Sequence, residues 1–194
     1  MGTVLLIDGE NFKGKVESVF AELNQKKPDW RTYGFKGLID KVLAGISVDR
    51  KIFYSARLKE YPDTLQKSKQ LIEEQRLLKT RLENSGFEFV IAGRVRGYDN
   101  VGSGGSKLIF KEKGVDVKIA VDMVSWACDE KVKSIILASS DSDLQPAISE
   151  VRKRGIECIY LGFESQPNKG ISYTTNRTIL IRNSEILEFN QSLL

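Results

Sequence analysis

The chain has 194 residues, 41% of them hydrophobic and 29% charged, which is room for one compact domain with a sizeable core and little space for a second. It contains no histidine, and that absence removes Ser-His-Asp triads, histidine general bases and histidine-bound zinc. A formal net charge of +4 leans weakly toward a polyanionic partner, and any hydrolytic chemistry is left to carboxylates, hydroxyls, lysines or a hard cation.

Residues 1–8 read as a strand, because Thr3-Val4-Leu5-Leu6-Ile7 is a β-prone run of the kind buried on both faces of a parallel sheet. It ends in an acidic turn at Asp8. Helices are expected over 13–23 and 35–44, the second with apolar residues at Phe35, Leu38, Ile39, Val42 and Leu43. A second strand follows at 50–55. A long charged helix runs over 64–85, stopped by Gly86, and its charges read as a solvated face. The third strand is 87–92.

Residues 93–114 break this rhythm with Gly97, Gly102, Gly104 and Gly105 among Arg94, Arg96, Lys107, Lys111 and Lys113. They read as a basic glycine-rich loop or a hairpin pairing 94–98 with 107–111; a substrate arm and a disordered insertion are equal readings. Residues 115–128 form a mostly apolar helix with a polar stripe of Lys118, Asp122, Ser125 and Asp129. A strand at 134–139, a helix at 144–154, strands at 157–161 and 178–181 and a helix at 184–190 complete the chain. The alternation implies a single α/β domain over 1–194, with a mostly parallel sheet of about five or six strands and helices on both faces. No run approaches the roughly 20 apolar residues that span a membrane. Asp8, Glu10 and Lys13 interrupt the apolar start, so no signal peptide is expected and a cytoplasmic location is. Cys128 and Cys158 read as buried thiols of a reducing compartment.

In open α/β sheets ligands bind outside the carboxyl ends of the strands. Asp8 ends the first strand, Ser140-Asp141-Ser142-Asp143 follows the 134–139 strand, and Asp116 opens the 115–128 helix. Three distant segments are thus expected to deliver Asp8, Asp116, Asp141 and Asp143 to one volume. So many carboxylates repel one another, and a divalent cation offsets the cost; all-oxygen ligands select Mg²⁺ or Mn²⁺. Metal-assisted attack of water on a phosphodiester is the natural chemistry of such a set. Each acid also has a plainer reading. Asp8 serves as a turn or N-cap residue, Asp141 or Asp143 caps the following helix, and Asp122 is an i,i+4 partner of Lys118.

Three segments resemble a known family. Leu6-Ile7-Asp8-Gly9-Glu10-Asn11, Lys113-Gly114-Val115-Asp116-Val117-Lys118 with Asp122 beyond, and Ala138-Ser139-Ser140-Asp141-Ser142-Asp143-Leu144 look like the ordered motifs of the NYN domain family, on its LabA-like branch. That family belongs to the PIN-like superfamily of metal-dependent ribonucleases. The resemblance implies a Rossmann-like PIN fold and a cytoplasmic ribonuclease. It also implies Mg²⁺ or Mn²⁺ on Asp8, Asp116, Asp141 and Asp143, with Asp122 as a second-tier acid. By the same resemblance Asn11 orients the metal or a phosphate, Lys113 contacts the substrate backbone, and Ser139 and Ser140 line the site. The chain departs from the family at Ser140, where glycine is usual, and at Leu144, where an aromatic is common; Ser140 is expected to narrow the site.

Two other families fit less well. Haloacid-dehalogenase-like phosphatases need a second aspartate where Glu10 stands, and a dinucleotide-binding domain needs a glycine-rich turn that Asp8-Gly9-Glu10-Asn11 is not. Single-stranded RNA is the expected substrate, chiefly from the resemblance. Arg57, Lys59, Arg94, Arg96, Lys107, Lys111 and Lys113 flank the expected edge and suit phosphates. Tyr54, Tyr61, Tyr98 and Phe110 either stack bases or pack the core. The alternative to a nuclease is a nucleic-acid-binding or regulatory module with the same fold and little or no activity.

Overall fold

The computed structural model describes residues 2–62, 65–102 and 105–190, with side chains throughout except at 96–102 and 105–112. Strand β1 (Gly2–Asp8) leads into helix α1 (Gly9–Glu22) and helix α2 (Phe35–Val42). Next come β2 (Arg50–Arg57), α3 (Leu65–Asn84), β3 (Glu88–Gly102), β4 (Gly105–Lys113) and α4 (Val115–Cys128). The chain continues through β5 (Val132–Ala138), a 3₁₀ turn (Ser142–Leu144), α5 (Gln145–Lys153), β6 (Glu157–Phe163), α6 (Lys169–Thr174), β7 (Arg177–Ile181) and α7 (Asn183–Glu188).

The seven strands lie in the order β4-β3-β2-β1-β5-β6-β7. Every neighbouring pair is parallel except β3 with β4. Alternation along the strands builds two cores, because successive side chains point to opposite faces. Leu5, Ile7, Phe53, Ile136 and Ile159 pack with residues of α1, α2, α3 and α7. Val4, Leu6, Tyr54, Ile135 and Tyr160 pack with residues of α4, α5 and α6 on the other face. This is the mostly parallel sheet between two helical layers that the sequence implies.

Differences from the sequence reading are local. Helix α1 begins at Gly9, four residues before the expected start, because the Asp8 carboxylate accepts the Asn11 backbone N–H at 3.2 Å and caps the helix. The third strand does not stop at residue 92: it continues as one arm of a hairpin whose register runs from Arg94↔Lys113 to Gly102↔Gly105. That is two residues from the expected pairing. The hairpin tip at 103–104, with Gly104, lies outside the described residues, as do Met1 and Thr64 at the expected ends of β1 and α3. Cys158 is buried as expected, whereas Cys128, the last residue of α4, is exposed. Tyr54 is fully buried, which removes it from the candidates for base stacking.

The base of the hairpin is fixed by two glycines in left-handed backbone, Gly93 at φ 67 and Gly114 at φ 94. A Cβ on Gly93 would sit 2.2 Å from the Lys113 carbonyl oxygen. Glycine therefore lets β3 approach the entry to α4 closely, and this sets where the first turn of α4 meets the sheet edge.

Candidate metal centre at the strand ends

Strands β2 and β3 lie on one side of β1, and β5, β6 and β7 on the other, so the chain reverses its direction of travel between β1 and β5. A crevice forms at such a switch point, beyond the carboxyl ends of the strands. Asp8 closes β1 there, and Ser139-Ser140 follows β5.

Asp116, Asp141 and Asp143 each bring a carboxylate oxygen to within 4.8 Å of the others. Asp116 comes from the first turn of α4; Asp141 caps the 3₁₀ turn by accepting the Asp143 N–H at 3.0 Å. Asp8 is outside this trio but tied to it. The buried Ser139 hydroxyl donates to Asp8 Oδ2 at 3.1 Å and accepts the Asp141 N–H at 3.2 Å, so one oxygen links the two acids. Asp8 is 7% exposed, and burial pushes its carboxyl above the usual aspartate range. The Asn11 N–H and the Ser139 hydroxyl oppose that shift, while the charges of Asp141 and Glu10 add to it.

The loop carrying Ser140 is held from three sides. Its N–H donates to Asn11 Oδ1 at 2.9 Å, its hydroxyl shares a 2.9 Å hydrogen bond with the Tyr160 hydroxyl, and its carbonyl accepts the Asn168 side-chain N–H at 2.8 Å. Asn168 also caps α6 through Ile171 N–H and donates its own N–H to Tyr160 Oη. The hydroxyl that stands where a glycine is usual is therefore engaged by Tyr160. Tyr160 and Asn168 escape a reading of the sequence: the first looks like a core residue of a strand, and the only mark of the second is an Asx residue before a six-residue helix.

The fifth acid stands apart. Asp122 is nearly buried, accepts the Tyr54 hydroxyl at 2.8 Å and pairs with Lys118 at 2.5 Å, the plainer of its two sequence readings. Burial and this hydrogen bond push the Tyr54 phenol far up.

On the other side of β1, Arg57, Arg94 and Lys113 fall on one register line across β2, β3 and β4, and all three are exposed. Like charges side by side across strands repel, and a bound polyanion offsets the repulsion. Arg96 pairs with Lys111, and Lys107 with Asn100, further along the hairpin. Their side chains lie outside the described ones, as do those of Tyr98 and Phe110.

A Rossmann-like sheet with carboxylates gathered at its switch point fits a PIN-like fold. The NYN domain model matches residues 2–180, and the chain belongs to the NYN family of PIN-like nucleases. The match is to the family and not to a particular branch. The fold is similar to the crystal structure of a protein of unknown function from Vibrio parahaemolyticus RIMD 2210633, at 19% identity and a TM-score of 0.55 over 92% of this chain and 91% of that one. At that identity the likeness speaks for the fold alone. Comparison with curated proteins finds no match. Among the described residues no helix is long and apolar enough to cross a membrane.

Proposed function

We propose that the chain is a Mg²⁺- or Mn²⁺-dependent ribonuclease that hydrolyses phosphodiester bonds of single-stranded RNA at the β1/β5 edge. The observation that carries this reading is the convergence of Asp116, Asp141 and Asp143 from two separate elements to within 4.8 Å. The donor set fits a hard cation: it is all oxygen, it is partly open to solvent, and the chain has no histidine. Asp116, Asp141 and Asp143 would hold the ion, with Asp8 supplying the fourth negative charge from behind the Ser139 hydroxyl. A divalent cation in such a site lowers the pKa of water and neutralises charge on a phosphoryl oxygen.

The chain's own groups do the rest. Ser139 fixes Asp8 relative to Asp141, and Asn11, Tyr160 and Asn168 hold the Ser140 loop so that the acids do not spread apart under their mutual repulsion. Lys113 and Arg94, with Arg96 beyond them on the hairpin, neutralise the phosphates that flank the scissile one.

Cleavage of a labelled single-stranded RNA with Mn²⁺, Mg²⁺ or EDTA tests the reading. Metal-dependent cleavage lost in Asp8→Asn and Asp141→Asn is expected; full retention in both overturns it. The exposed Arg57-Arg94-Lys113 row favours a second reading, a nucleic-acid-binding module that does not cleave. Under that reading, replacing Arg94, Arg96 and Lys107 abolishes RNA binding, while alanine at the acids leaves binding intact or tighter.

A further inference from the structure

Next to the acidic edge, across the ends of β1 and β2, lies a cavity of about 400 Å³ that the proposed hydrolysis does not use. Its size falls in the range of small-molecule sites. Asp8 is in register with Tyr54, and the next two residues of β2, Ser55 and Ala56, form part of the cavity wall. Glu10 and Lys13, in the first turns of the helix that Asp8 caps, form another part. The cavity wall on β2 and Asp8 on β1 therefore sit on neighbouring strands, about one strand spacing (~5 Å) apart, with Asp141 and Asp143 following β5 on the other side of β1.

Its chemistry is specific. Trp30, Leu58, Tyr61, Leu71 and Leu78 supply apolar and aromatic wall. The Trp30 indole N–H is bound to Glu17 at 3.0 Å and the Tyr61 hydroxyl to the Val95 carbonyl at 2.8 Å, so both rings are held in place. Gln75 reaches in from α3, its side-chain N–H donating to Ser55 Oγ and to the Ala56 carbonyl, each at 2.8 Å. Its amide oxygen is left as a fixed acceptor. Lys59 at the rim is exposed, and Lys13, ion-paired with Glu10 at 2.5 Å, lines the same space. Glu10 and Glu74 also line the cavity, so its charges balance. Aromatic and apolar walls with one oriented amide are what a nucleobase requires, and Lys59 is the ammonium group for an adjoining phosphate.

We propose that this cavity receives one unpaired base of the substrate strand, next to the phosphate held at the carboxylates. The inference rests on the nuclease reading for the identity of the strand, and it names what that reading leaves open: the substrate must present a base that is free to leave its stack. It explains the inner face of α3, whose charged sequence reads as a solvated surface but whose Leu71, Gln75 and Leu78 enclose the cavity. A base in this position also separates single strands from duplexes, because a paired base cannot enter.

The chain's two tryptophans give a readout independent of cleavage. In a Trp126→Phe background Trp30 is the single reporter, and short single-stranded RNAs are titrated in EDTA so that none is cut. A saturable change in Trp30 emission is expected. Moving a single abasic site along the RNA should weaken binding about tenfold at one position, the scale of one stacked base. Leu71→Phe, a change at an exposed helix position, should weaken intact RNA similarly and leave the abasic RNA unchanged. Adenosine and uridine 5′-monophosphates form the second arm.

A flat abasic scan, or Trp30 emission unmoved by saturating RNA, beside intact metal-dependent cleavage overturns the cavity inference and leaves the nuclease. Monophosphate binding with a flat abasic scan also overturns it, in favour of a separate nucleotide site. A localised abasic effect with no cleavage under either metal supports the base site and overturns the nuclease reading.

Discussion

Helix α4 carries two aspartates six residues apart, about 9 Å of helical rise, and the sheet treats them differently. Asp122 meets the Tyr54 hydroxyl and Lys118, so its charge is satisfied within the fold. The Asp116 carboxylate has no hydrogen-bond or ion-pair partner among the described residues and comes close to Asp141 and Asp143 instead. A buried acid with partners needs no further explanation. Acids from separate elements that face each other without a cation are held together at a cost, and such places mark function. The sequence ranks Asp122 below Asp116 and offers Lys118 as its partner; the bond to Tyr54 completes the separation.

Substitution sharpens this contrast. Asp116→Asn or Asp141→Asn should lower metal-dependent RNA cleavage about a hundredfold or more, the scale of losing one preorganised electrostatic group, with no loss of stability in EDTA. Asp122→Ala should do the reverse. It leaves the Tyr54 hydroxyl unpaired in the core and costs about 1–3 kcal/mol in urea unfolding, while cleavage per folded molecule stays near wild type. A stable Asp122→Ala protein that fails to cleave would break the comparison.

Acidity offers a smaller effect with a definite sign. Burial holds the Asp8 pKa above its unfolded value, so the folded chain binds that proton more tightly. This contribution is complete below the ordinary aspartate range and is lost as pH rises through the raised value. Thermal unfolding in EDTA across that window should therefore show the wild type losing stability relative to Asp8→Asn as pH rises, since the acids shifted downward, such as Asp40 and Glu88, act alike in both proteins. An unchanged slope in the variant would place the destabilising charge elsewhere. The smallest effect concerns the thiols. Burial pushes Cys158 up to about 12, whereas Cys128 is exposed, so iodoacetamide should modify Cys128 alone in the folded protein.

Asp8, Asp141 and Asp143 were legible because strand ends mark the edge where an α/β sheet binds ligands, and apolar runs mark the strands. Helix α4 was legible to the residue, since Gly114 before it and Asp129 after it bracket one apolar block. The length of β3 was not: a hairpin at 94–98 and 107–111 was one expected reading, but its continuity with the strand before it and its extension to Gly102 depend on the pairing with β4. The pairing of Asp122 with Lys118 was legible from its i,i+4 spacing, but its bond to a tyrosine 68 residues away was not. Tyr160 and Asn168 act on Ser140 through tertiary hydrogen bonds that leave no periodic trace. The cavity beside the acids was hidden for a similar reason: the few inward residues of α3 are outnumbered by its charges.

The most direct test of the central claim, that Asp116, Asp141 and Asp143 form a cation site, is calorimetric titration of the metal-free protein with Mn²⁺. Saturable binding that is lost in Asp116→Asn and Asp141→Asn but kept in Asp122→Asn is the predicted result. Binding that survives in Asp141→Asn, or no binding by the wild-type chain, would contradict it.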